Sequence, residues 1–66
     1  MSVAKVIEIS SSSTESFEHA IEQGLKRAES SLNNVKGAWI AEQKVDFENG
    51  RISNYRVIMR ETFILD

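Results

Sequence analysis

The tetrapeptide Glu48-Asn49-Gly50-Arg51 constrains this chain more than any other feature. Asn-Gly between two β-like runs marks a two-residue type I′ turn, because both central residues must take positive φ. The runs it joins, Val35 to Phe47 and Ile52 to Leu65, contain no proline to interrupt them. They read as one long antiparallel hairpin. A two-residue turn also sets a register. Glu48 faces Arg51 and Phe47 faces Ile52. Continued without interruption, that register sets Gln43 opposite Arg56, Ala41 opposite Ile58 and Trp39 opposite Arg60.

Alternation along the strands then sorts the side chains by face. One face collects Trp39, Ala41, Gln43, Val45 and Phe47 with Ile52, Asn54, Arg56, Ile58 and Arg60. The other collects Ile40, Glu42 and Lys44 with Tyr55, Val57, Met59, Phe63 and Leu65. A β-bulge in either strand would shift this parity beyond it.

Upstream, Val3 to Ile9 is rich in valine and isoleucine and reads as a strand. Ser10-Ser11-Ser12-Ser13-Thr14 reads as a loop leading into a helix, with Ser12 and Glu15 forming a capping box or Thr14 as the cap. Phe17, Ala20, Ile21, Gly24, Leu25, Ala28 and Leu32 recur at helical spacing. Glu18, Glu22, Lys26 and Glu29 occupy the opposite side, with Glu22 and Lys26 a favourable i,i+4 pair. Gly24 falls on the apolar side in mid-helix, which points to close approach of another backbone. Asn33-Asn34 is the expected stop. The expected fold is α+β, a single β-α-β-β domain over residues 1–66, with a three-stranded antiparallel sheet packed on one helix.

Size makes this domain incomplete by itself. A chain of 66 residues buries only about 60% of its unfolded surface. It has no cysteine, so disulfides and thiolate metal sites are unavailable. A single histidine disfavours a histidine-rich zinc site. One helix covers one face of the sheet. The face of Trp39, Val45, Phe47, Ile52 and Ile58 needs a second copy, a ligand or both. A homo-oligomer is therefore expected, with Trp39, Gln43 and Arg56 at the interface. An indole offers a stacking surface, and Gln43 and Arg56 offer hydrogen bonds to a ring edge. The plainer alternative makes Trp39 interface core and Gln43–Arg56 an ordinary polar pair.

Other functions find less support. The net charge of −2 argues against a general nucleic-acid surface. No apolar run is long enough to span a membrane, and Met1 to Lys5 does not open a signal peptide. The lack of cysteine fits a cytoplasmic protein. No catalytic pair stands out: Ser10 to Ser13 have no histidine beside them in sequence, and His19 reads as a surface residue. Glu8, Glu42, Asp46, Glu48, Glu61 and Asp66 offer oxygens to a hard cation, without EF-hand spacing. Lys44, Arg56 and Arg60 are candidates for phosphates of a nucleotide such as coenzyme A.

The order of these segments resembles the dodecin family along nearly the whole chain. The resemblance is carried by Lys5 to Ile9, Ser11 to Thr14, Ala20 to Ala28, Leu32 to Val35, the strand of Trp39, Tyr55-Arg56-Val57 and Thr62 to Leu65. It implies twelve subunits in a hollow shell. It implies a flavoprotein without enzymatic activity that stores or sequesters riboflavin, FMN or lumichrome, stacked in pairs between symmetry-related tryptophans. Trp39 matches that tryptophan. Arg56 stands where the family usually has a glutamine that bonds the flavin edge. An arginine after the tyrosine also resembles a calcium-binding branch, which does not generally keep the tryptophan.

Overall fold

A computed structural model describes residues 3–31 and 35–64. Leu32, the expected Asn33-Asn34 stop and Leu65 lie outside the described residues. The elements run β1 (Ala4–Ser13), α1 (Phe17–Ser31), β2 (Val35–Glu48) and β3 (Arg51–Ile64). The sheet order is β1-β3-β2, with both outer strands antiparallel to the central one. This is the expected β-α-β-β fold, with α1 layered on one face of the sheet.

The turn forms as the sequence requires, with φ of 53° at Asn49 and 77° at Gly50. Glu48 pairs with Arg51 and Phe47 with Ile52. The register then departs from the expected one. A bulge places Asp46 opposite Asn54, with Ser53 as the extra residue. Lys44 now faces Arg56, and Gln43 faces Val57. A second bulge leaves Ala41 unpaired between Ile40 and Glu42. Each inserted residue flips the parity beyond it. Because the two insertions lie on opposite strands, the pairing of Trp39 with Arg60 returns to the expected one.

The serine run is the second correction. Ser10 to Ser13 remain in β1 and pair with Ile58 to Tyr55. Alternation turns Ser11 and Ser13 toward the helix, and Ser13 is buried. Neither Ser12 nor Thr14 caps α1. The cap is Ser16, whose Oγ accepts the His19 N–H at 2.9 Å while its carbonyl accepts Ala20 N–H at 3.1 Å. Ser13 Oγ accepts Glu15 N–H at 2.9 Å and shapes the turn before it. Small side chains suit this segment because α1 passes close to it.

The core is the helix side of β3 against the apolar side of α1. Val57, Met59 and Ala20 are buried there, with Ile9, Phe17 and Ile21 packed around them. The Phe17 and Tyr55 rings meet edge to face, with centroids 5.1 Å apart. Gly24 is closely approached, by side chains of the sheet rather than by the expected backbone. A Cβ on it would lie 2.5 Å from Met59 Cε, 3.2 Å from Ser11 Cβ and 3.3 Å from Ile9 Cδ1. A leucine there adds volume against three neighbours. Gly24→Leu is expected to destabilise the fold by about 1–3 kcal/mol, the usual range for overpacking, as a fall in the urea midpoint at unchanged slope.

Candidate functional site

Antiparallel pairs share a face, so the register of β3 defines the side of the sheet away from α1. Arg56, Ile58, Arg60 and Thr62 project there. Lys44, Glu42, Trp39 and Gly37 oppose them from β2, and Ser12, Ser10, Glu8 and Val6 from β1. Trp39 is 48% exposed. Its cross-strand neighbour is Arg60, which in turn reaches Glu8 with Nε 3.4 Å from Oε2. About half of the Trp39 side chain is thus open, beside a cross-strand ion pair.

Trp39 and Arg56 share this face as expected, but Gln43 does not. The Ala41 and Ser53 bulges leave Gln43 opposite Val57, on the helix side of β2. The expected Gln43–Arg56 pair is replaced by Lys44 opposite Arg56. Two cations directly opposite repel one another. Arg56 turns instead to Asp46, and its Nε–H donates to Oδ2 at 2.9 Å. That hydrogen bond holds the Asp46 carboxyl below the usual carboxylate range, against the opposing effect of burial. The same bulges move Val45 and Phe47 to the helix side by alternation along β2. The bare apolar face expected from the uninterrupted register is therefore smaller, with Trp39 and Ile58 as its large members.

Between Trp39 and the turn, Ser10, Glu42, Lys44, Arg56 and Ile58 line a hollow of about 290 Å³. A larger hollow of about 580 Å³ lies at the edge between β1 and α1, lined in part by Ile7, Ile9, Gly24 and Arg27. No aromatic ring lines either hollow; Trp39 shares the outer face with the smaller one.

The pairing of β1 with β3 ends at Ser13 and Tyr55. Beyond that point β2 and β3 continue as a two-stranded ribbon to the turn. Phe47 is 66% exposed on it, with Ile52 and Val45 also exposed. The whole protomer is correspondingly elongated, 51 Å in its longest dimension.

Two groups were placed differently by sequence. His19 is not a detached surface residue. Its Nδ1 lies 2.7 Å from Ser13 Oγ and 3.3 Å from Glu15 Oε2. A nucleophile–base–acid relay needs the hydroxyl and the carboxylate on different ring nitrogens. Here both meet Nδ1, and Ser13 Oγ also accepts a backbone N–H. The arrangement braces the helix start. Glu61, counted above among oxygens available to a cation, is fully buried on the helix side between Met59 and Phe63. Strict alternation from Tyr55 through Val57, Met59 and Phe63 carried that signal. Among the described residues, no three acidic, histidine or cysteine side chains gather as a metal site.

Replacing Arg56 isolates its effect on Asp46. In Arg56→Gln the Asp46 carboxyl is expected to titrate higher, toward the ordinary aspartate range, by carbon-detected NMR. Because Asp46 is depressed in the folded chain, its stabilising effect exists at neutral pH and is lost as the pH falls below the ordinary carboxylate range. The variant should show a weaker loss of stability there.

A family model described as dodecin matches residues 3–66. A search of curated proteins gave no match. Among solved structures, a dodecin from Streptomyces davaonensis is 29% identical, with a TM-score of 0.90 over 98% of this chain and 96% of that one. A dodecin variant from Thermus thermophilus is 26% identical, with a TM-score of 0.93 over 100% of this chain and 98% of that one. A protein of Mycobacterium tuberculosis described as a calcium-chelating immunodominant antigen, calcium dodecin, is 31% identical. Its TM-score is 0.82 over 97% of this chain and 91% of that one. No described helix is long and apolar enough to cross a membrane. The chain belongs to the dodecin family.

Proposed function

Taking the chain as a dodecin, we propose that it binds flavins without catalysing a reaction, and stores or sequesters them at interfaces of a homo-oligomer. The observation that carries this reading is the half-exposed Trp39 indole on the sheet face that α1 leaves uncovered. An isoalloxazine ring needs a flat apolar surface and a few polar groups at its edge. Trp39 supplies the first and Arg56 a donor for the second. Arg56 has no acceptor to offer, so it can serve only a ring oxygen or nitrogen. Gln43, on the opposite side of β2, drops out of the contacts that one protomer can make.

The hollow beside Arg56, about 290 Å³, is at the lower end of small-molecule sites, which run from roughly 300 to 1,000 Å³. One protomer then offers only part of an enclosure. A second copy across the Trp39 face would supply the rest, which favours flavins held in pairs between tryptophans. Paired stacking would also quench the excited flavin and limit photochemical damage. A shell of twelve subunits is the assembly that the family resemblance favours.

Calcium is the second reading, supported by the 31% identity to the calcium dodecin. A hard cation needs six to eight oxygens. Glu8 and Glu42 share the outer face, but each protomer would have to bring them to a common point with a neighbour.

The two readings separate in one pair of titrations on the intact oligomer. Riboflavin and FMN are expected to lose fluorescence on binding, and Trp39→Ala should weaken binding about 5- to 150-fold, as the loss of about 1–3 kcal/mol of stacking implies. Heat with calcium in a calorimeter, with no flavin quenching at micromolar protein, would overturn the flavin reading in favour of calcium.

A further inference from the structure

Glu61 is the least expected residue of the core. Its relative exposure is 0%, and neither carboxyl oxygen has a hydrogen-bond partner among the described residues. It lies in the helix-facing row of the central strand, between buried Met59 and buried Phe63. Its cross-strand partners are Ile7 on β1 and Ala38 on β2. Lys5 occupies the same face of β1, Lys36 the nearby irregularity of β2, and Arg27 the flank of α1 beside Ile7 and Ala28. All three cations are exposed and none bonds to Glu61. A charged carboxylate in such a place would lack both water and a counter-ion, which is among the most unfavourable arrangements a core can hold.

We propose that Glu61 is a pH-sensitive device in the core: the folded chain holds it as the neutral acid, and its ionisation as the pH rises works against the fold. Desolvation accordingly pushes its carboxyl above the ordinary glutamate range. A group that binds its proton more tightly when folded favours folding at low pH. That advantage is complete below its unfolded pKa and is lost as the pH rises through its folded pKa. Asp46 acts in the opposite direction and at lower pH, because its carboxyl is depressed. The two effects therefore fall in separate pH ranges. The device needs no flavin, and its test is independent of the proposed ligand.

The experiment compares the full-length protein with Glu61→Gln by chemical denaturation from pH 4.5 to pH 8.5. The glutamine keeps the shape and removes the titration. For the wild type, the unfolding equilibrium constant is expected to rise with pH above the unfolded glutamate pKa, by up to about tenfold per pH unit for one proton, until Glu61 ionises in the folded state. In Glu61→Gln that rise should be absent. Parallel pH profiles for the two proteins overturn the proposal. A Gln variant that is less stable by the same amount at every pH also overturns it, because an ionised and paired carboxylate would behave so. Infrared spectroscopy of the wild type gives an independent readout if the variant does not fold. A protonated-acid carbonyl band from Glu61 at pH 6, assigned by its absence in Glu61→Leu, supports the proposal. A carboxylate band alone at that pH refutes it.

Discussion

The protomer turns on how tightly α1 packs against β1 and β3 at Gly24. A single helix can hold a three-stranded sheet only if it approaches closely along its whole apolar side. Gly24 removes the side chain that would stand in the way, and Ser11 presents a small one from the edge strand. Met59 Cε fills the gap from the central strand. The expense is a glycine in mid-helix, worth about 1 kcal/mol against alanine. The gain is that Val57, Met59 and Ala20 are fully removed from water in a chain of this size.

With α1 committed to that side, the other side of the sheet belongs to something else. The bulges at Ser53 and Ala41 decide what it displays. Without them, Val45 and Phe47 would have joined Trp39 in a broad apolar sheet face. With them, the apolar surface divides. Trp39 and Ile58 stay among charged neighbours on the outer face, while Phe47, Ile52 and Val45 cluster on the projecting ribbon. The proposed flavin stacking and the proposed subunit contact would therefore draw on different parts of one hairpin.

This division also marks what the sequence could and could not convey. Asn49-Gly50, the helical spacing from Phe17 to Ala28, and the order of elements all follow from local rules that a short window contains. So does Trp39 opposite Arg60, though by way of two shifts that cancel. The bulges do not follow from any such rule. Ser53 and Ala41 are ordinary strand residues, and nothing local says that either one is skipped. Gln43 was lost from the outer face for that reason alone. The serine run misled differently. Serine is common in loops and caps, but at Ser11 its small size answers a packing demand from Gly24, thirteen residues away. Glu61 was legible in principle, because period two already carried it into the buried row. Its charged residue type points toward solvent, and the strand period overrides it.

The ion pairs on the outer face have a further consequence. Arg56 is bonded to Asp46 and Arg60 to Glu8, while Lys44 and Glu42 occupy the same face. Cations and carboxylates thus share the surface around Trp39, and beyond about 10 Å their fields are largely cancelled and screened. Such a surface exerts little long-range pull on an anion or a cation. A guest of the proposed kind would be recognised by contact, through the flat face of its ring and the few donors at its rim, rather than gathered from a distance by its charge. Selection would then be by shape at arrival, with the mosaic of charge leaving the indole open to molecules of either sign.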